Sequence, residues 1–282
     1  MKKHVFSSDK YKWLTGKNSK QFVPNLPSTD ITNNDAYEKM EHAKYLEIEK
    51  LSLVKSNYVE HDHKKKLSVI VPYRDRKSHL HEFVSKIPGA LDKQNIDYKI
   101  TIIEQDDKKQ FNKGTLNNIG FLETKDHDYF CFHDVDMLPI EADYGYSNKN
   151  MSEFGIAIHV AKYVEQFGFE ELPGYFGGVV LIDKLAFELI NGYSISYWGW
   201  GIEDDDFHRR CYSNSRIVTI YRNGVYKSLP HKHNFNENVY SKNFAIYTKN
   251  IHTRNDGVLQ TKYKVLSKDI LTDKISIIKV AI

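Results

Sequence analysis

Four short segments of this sequence carry side chains that could do chemistry together. The acids Glu203, Asp204, Asp205 and Asp206 follow Trp198-Gly199-Trp200-Gly201-Ile202 without interruption. Adjacent carboxylates repel one another, and a helix N-terminus lessens that cost because its dipole favours negative charge. A capped, solvated helix face is therefore one reading, but it leaves the tryptophans and glycines upstream unexplained. Glycines flanking a large ring suit a loop that swings and closes the ring on a ligand. An acid beside such a lid can serve as general base for a hydroxyl nucleophile.

Asp134-Val135-Asp136 ends the apolar run Tyr129-Phe130-Cys131-Phe132. Strand side chains alternate between faces, so carboxylates at i and i+2 project together. At the carboxyl end of a strand in an open α/β sheet they can hold a hard divalent cation and, through it, a diphosphate; a solvated turn is the alternative. His231-Lys232-His233 in an extended segment presents both rings to one side, a chelating arrangement, although 13 histidines also allow the spacing by accident. Two histidines with one aspartate suit Mn²⁺ better than Mg²⁺, which prefers oxygen ligands. Finally, Val71-Pro72-Tyr73-Arg74-Asp75-Arg76 follows a strand-like run. Its ring and two arginines can stack a base and fork onto phosphates, or form an ordinary surface loop with ion pairs.

These residues need elements to position them. Apolar, β-branched runs predict strands over 67–73, 98–105, 128–138, 156–163 and 175–183. Helical stretches are expected over 78–91 and 114–125, with a short helix after 183 ending near Gly192 at its C′ position. Buried strands alternating with helices indicate an α/β sheet of parallel character. Neither a phosphate-binding G-x-x-x-x-G-K-[ST] string nor a dinucleotide-binding G-x-G-x-x-G string occurs. Residues 1–66 are polar and lysine-rich; Asp35 and Glu38 have capping-box spacing ahead of Tyr37, Met40, Ala43 and Leu46. His61, His63 and the lysines at 64–66 read as a solvated linker.

The 40 basic and 37 acidic residues of the 282 leave a formal charge of +3, too balanced for nucleic acid as the main partner. Two cysteines, Cys131 and Cys211, cannot build a disulfide framework, so reduced thiols are expected. No window of 18 apolar residues provides a transmembrane segment, and no apolar run follows the two N-terminal lysines as a signal peptide requires.

In order, V-P-Y-R-D-R-x-x-H-L, F-N-K, F-H-D-V-D, Y-F-G-G-V, W-G-W-G-x-E-D-D-D and a late H-x-H resemble the β-1,4-galactosyltransferases, glycosyltransferase family seven, over about residues 67–265. The resemblance implies a GT-A fold: a nucleotide-sugar-binding α/β domain over 67–282 with a mixed, mostly parallel central sheet, after a partly helical extension over 1–66. It implies an inverting, Mn²⁺-dependent transfer of galactose from UDP-galactose to a hydroxyl, O4, of a saccharide or glycolipid acceptor. The lack of a transmembrane anchor and of a disulfide framework separates the chain from secretory-pathway members and leads us to expect a soluble bacterial-type enzyme of surface polysaccharide or lipooligosaccharide synthesis. Carried over, Pro72, Tyr73, Arg74 and Arg76 form the uridine and diphosphate loop, and Phe111 is a uracil-side contact. Lys113 stands where many members have Arg, a point charge in place of a fork. Asp136 is the metal-binding acid and Asp134 its sugar-facing partner. Tyr175 and Gly178 floor the sugar sites, and Tyr175 crowds the 2-substituent in favour of galactose. Trp200 is the mobile lid, Asp204 the catalytic base with Glu203 beside it, and Glu203 and Asp205 are acceptor-side acids. Some members use Met and His as the remaining metal ligands; Ser228 and Pro230 stand where Met would, so His231 and His233 are the candidates. The segment after them, to about Thr248, is expected as a long loop over the donor. The alternatives are a chondroitin-type UDP-GalNAc transferase and a non-catalytic carbohydrate-binding protein. The expected location is cytoplasmic, free or held peripherally at the inner membrane by the lysine-rich segment.

Overall fold

The first apolar run forms β1 (Lys66–Tyr73), in which Leu67, Val69, Ile70 and Val71 are fully buried. In this computed structural model the described residues are 62, 64–147, 153–231, 236–249 and 255–282. The helix expected at Asp35, His61, His63 and His233 lie outside them. A strand buried on both faces belongs inside a helix-covered sheet. β1 accordingly pairs in parallel with β2 (Asp97–Gln105) on one side and β3 (Tyr129–His133) on the other. β4 (Met137–Glu141), β6 (Tyr163–Val164) and β9 (Val225–Ser228) make a small second sheet, in the order β4-β9-β6. β5 (Gly155–His159), β7 (Val179–Asp183), β8 (Ile217–Tyr221), β10 (Lys264–Ile270) and β11 (Ile275–Ala281) complete the main sheet. Its order is β10-β11-β2-β1-β3-β7-β5-β8, and four of its seven pairings are parallel, so the sheet is mixed with a parallel majority.

Helices cover the sheet with apolar faces of the expected period. α1 (Lys77–Asp92) buries Phe83, Ile87 and Leu91, one stripe at four-residue steps. α2 (Lys113–Glu123) is capped by Asn112, whose side chain accepts from the Thr115 amide at 2.9 Å. Gly120 lets it approach the sheet, since a Cβ there would lie 2.2 Å from Ile70 Cγ2. α3 (Lys184–Leu189) is capped by Asp183. The left-handed turn that ends it begins one residue before the expected Gly192, at Asn191, φ 59°, and continues through Gly192, φ 63°.

The expected strand over 128–138 is not one strand. It stops at His133 and resumes at Met137 in the other sheet. The Asp134 amide donates to the Gly178 carbonyl at 2.8 Å and Met137 donates back to Asp134, which turns the chain out of the main sheet. Asp134 and Asp136 are therefore turn residues between two sheets, not neighbours on one strand face. The expected runs 156–163 and 175–183 shorten likewise to β5 and β7. β8 to β11 carried no strand expectation, although β11 lies inside the sheet between β10 and β2.

Candidate active site

The two sheets bring the D-x-D turn and the histidine segment together. β4 runs antiparallel to β9 with Met137 opposite Ser228, so the residue before β4, Asp136, faces the residues after β9. The Leu229 amide donates to the Asp136 carbonyl at 2.8 Å, and His231 Nδ1 lies 3.0 Å from Asp136 Oδ2. Arg76 donates to the same oxygen at 2.9 Å. Burial would raise the Asp136 carboxyl; the His231 hydrogen bond and charge and the Arg76 guanidinium outweigh it and hold the group below its ordinary range. His79 from α1 joins Asp136 and His231 in a group of three donors within 4.8 Å of one another. Sequence reasoning gave His79 no role, although it is the histidine of the R-x-x-H-L string. One hard carboxylate with imidazoles suits a borderline divalent cation, and Nδ1 of His79 is buried with no hydrogen-bond partner; the residues present fit a metal.

Lys113, at the start of α2, joins the D-x-D turn to the acidic helix. Its Nζ lies 2.9 Å from Asp134 Oδ1 and 2.9 Å from Asp204 Oδ2. Burial would lower the ammonium, but the Asp134 and Asp204 charges hold it well above its ordinary value. Asp134 is itself raised to about 6, by burial and by the Asp204 and Asp136 carboxylates against the Lys113 charge. The four acids occupy the first turn of α4 (Glu203–Tyr212), as a helix dipole favours. They do not form a solvated face. Asp206 is 2% exposed and is held by Arg209 and by Arg210 Nε at 2.7 Å. Burial, then the Asp204 charge, push Glu203 up to about 8.

Gly177, passed over in the sequence in favour of Gly178, makes room for the candidate base. A Cβ on Gly177 would stand 2.6 Å from Asp204 Oδ2 and 2.8 Å from the Tyr175 ring. Gly178 has φ 76°, and a Cβ there would meet Met137 and the Tyr175 hydroxyl, both at 2.8 Å. Two buried histidines brace this floor. His159 Nε2 donates to the Gly177 carbonyl at 3.0 Å. His133 Nδ1 donates to the Asp134 carbonyl at 2.9 Å, and its Nε2 is 3.0 Å from the Tyr144 hydroxyl. His133 sits in the F-H-D-V-D string and His159 in the expected strand 156–163, but the residue type alone does not separate a brace from a ligand.

On the opposite side, Arg74 lies over the Phe111 ring at 5.4 Å. The Tyr73 ring, expected to stack a base, is instead packed in the core at 7% exposure, because the last residue of β1 points into the layer beneath the sheet. Phe111 is the partly exposed ring of that corner. Its carbonyl accepts from the Gly199 amide at 2.7 Å, tying the tryptophan loop to it. Trp200 stacks on Tyr240, with ring centroids 6.3 Å apart. Asn243 donates to the carbonyls of Trp198 and Gly201, both at 3.1 Å. Tyr240 and Asn243 belong to α5 (Glu237–Lys249), so the segment expected as a long loop is helical there. Pro72 is buried in β1, and Asp205 is half-buried in the first turn of α4.

Residues 27–149 match the model described as the N-terminal region of glycosyl transferase group 7, and residues 158–233 the one described as the N-terminal domain of galactosyltransferase. β-1,4-galactosyltransferase 7 of Drosophila melanogaster is 31% identical over 230 residues, covering 77% of this chain and 70% of that protein. β-1,4-galactosyltransferase 1 of Bos taurus is 39% identical over 150 residues, covering 51% of this chain, which spans only 36% of that relative's length. A solved structure of a Drosophila β-1,4-galactosyltransferase 7 mutant, in complex with manganese, UDP-Gal and xylobiose, has a TM-score of 0.64 at 26% identity over 77% of this chain and 94% of that one.

Proposed function

This chain belongs to the group 7 glycosyltransferases and has their GT-A fold, and from that premise we propose that it transfers galactose from UDP-galactose to a hydroxyl, O4, of an acceptor sugar with inversion. The observation that carries the reading is Lys113, whose Nζ bridges Asp134 and Asp204 at 2.9 Å each and so joins a D-x-D turn, a diphosphate-binding position and a general base in one cleft. Asp204 Oδ2 takes the proton of the acceptor hydroxyl as its oxygen bonds to C1 and the C1–O bond to UDP breaks. Arg74, Arg76 and Lys113 bind the diphosphate, Lys113 leaving Asp204 free to accept the proton as it turns to the phosphates. Phe111, with Arg74 over it, takes the uracil. Trp200 and the glycines around it close over the donor and exclude water, so transfer outcompetes hydrolysis. Mn²⁺, held by Asp136 and His231 with His233, would supply charge that stabilises the departing diphosphate. Glu203 and Asp205 bind the acceptor, beside Tyr175 and Gly178.

Residues 67–282 form the transferase domain of this proposal and 1–66 an extension, within which the family match begins at residue 27. The acceptor is a surface saccharide or glycolipid, met at the cytoplasmic face by an enzyme free or attached peripherally to the membrane. No described helix is long and apolar enough to cross a bilayer.

UDP release with a panel of donors, with and without Mn²⁺ and sugar acceptors, tests the reaction. A positioned base contributes about 10²–10⁴-fold, so Asp204→Asn is expected to lose turnover in that range while retaining UDP binding. Near-native turnover would remove Asp204 from the role. UDP binding with no release from any donor would leave a carbohydrate-binding protein.

A further inference from the structure

We propose that His79 is a protein ligand of the divalent cation, beside Asp136 and His231; the inference rests on reading Asp136 as a metal-site residue. Three facts of different kinds carry it. The donor atoms of His79, Asp136 and His231 lie within 4.8 Å of one another. Ligands bonded to one ion at about 2.0–2.2 Å stand up to about 4.4 Å apart when trans, so small side-chain rotations close the set. Nδ1 of His79 is buried and has no hydrogen-bond partner among the described residues. A histidine kept only for packing satisfies its buried nitrogens with protein groups, as His133 and His159 do in this fold. The His79 ring also stands edge-on to His231, with centroids 6.0 Å apart, rather than stacked on it.

The chain places His79 there for a local reason. Arg76 precedes α1 and donates to Asp136, and α1 starts at Lys77, so the first helical turn is pinned at the same carboxylate. His79, third in the helix, is thereby delivered to the Asp136 side. The ring also borders an open cavity of about 550 Å³ lined with Glu82, Leu138 and Leu229, which gives an ion access.

The experiment uses the full chain. Mn²⁺ binding is followed by loss of the free-ion electron paramagnetic resonance signal, with and without UDP, in the native protein, His79→Gln and Asp136→Asn. A tenfold or greater rise in the Mn²⁺ dissociation constant in His79→Gln, with native circular dichroism and unfolding midpoint, supports the assignment. An unchanged constant in folded His79→Gln overturns it, whereas an unchanged constant in Asp136→Asn overturns the metal-site reading beneath it. His79→Cys decides the matter independently of affinity and of the folding of the glutamine variant. Cys131 and Cys211 are both buried, so a thiolate-to-cobalt charge-transfer band on Co²⁺ loading reports residue 79 alone. Bound Co²⁺ without that band removes His79 from the ligand set.

Discussion

Glu203 and Asp204 are adjacent, yet their surroundings divide the work between them. Asp204 faces Lys113 at 2.9 Å, whereas burial and the Asp204 charge raise Glu203 to about 8. At pH 7 Glu203 is neutral and can donate a hydrogen bond to an acceptor oxygen. As pH rises through about 8 it ionises, loses that donor and adds a negative charge beside the base. We expect kcat/KM to fall above pH 8, and Glu203→Gln, which stays neutral, to flatten that limb; an identical alkaline limb in the variant would refute the role. Tyr175 is the second residue to test. Its ring and hydroxyl crowd the space over Gly177 and Gly178. Tyr175→Leu is expected to admit UDP-GalNAc, and a donor ratio that does not move in the release assay would end the steric account. The residue types of this site were legible from their strings. Which of the acids, glycines and histidines reach the cleft was not: Gly177 and His79 owe their importance to what packs against them.

At the scale of elements, α4 shows how one acidic run serves two purposes. Residues one, two and three positions into a helix point in different directions, about 100° apart. Asp204 therefore reaches Lys113 while Asp206 turns inward to Arg209 and Arg210, which also donate to the carbonyls of Tyr247, Gly192 and Asp256. Removing one partner of a buried charge network costs roughly 3–5 kcal/mol. Asp206→Ala should thus lower the unfolding free energy from denaturant titration by that amount; a loss of only about 0–1 kcal/mol, as for an exposed pair, would return Asp206 to a solvated face. The strand pairing of β4 with β9 is the other decisive element. It sets Asp136 against His231 across almost a hundred residues of chain, and neither segment carries a sign of the other. The three-residue interruption after His133 was likewise invisible, because the apolar residues Val135, Met137 and Leu138 continue the pattern through the turn and beyond it.

At the scale of the whole molecule, titratable groups of opposite tendency offset one another. Burial lowers His133 to about 4 and His159 to about 3, from 6.5 when unfolded. Between pH 6.5 and 5 the unfolded chain thus takes up protons there that the native chain refuses, and stability falls as pH falls. Asp134, raised to about 6, and Glu203, raised to about 8, act in the opposite sense, since the native chain holds their protons and the unfolded chain does not. The native protein should show a shallow response in that window. An Asp134→Asn, Glu203→Gln double variant should uncover the histidines, losing up to about 2.7 kcal/mol per pH unit, two protons' worth. Urea titrations at pH 6.5 and 5 check this, and equal slopes in both proteins would contradict it. The sequence by itself determined most strands and helices between residues 66 and 189, the α/β class and the family, because these depend on local periodicity and on contiguous strings; β8 to β11 and α5 it did not. Tertiary structure alone decided that 128–138 divides between two sheets, that the Tyr73 ring is core, that Asp206 is paired inside, and that His79 and Gly177 join the site. Each of those depends on which distant segment packs against a residue, and burial, charge pairing and steric room are properties of that contact rather than of the residue.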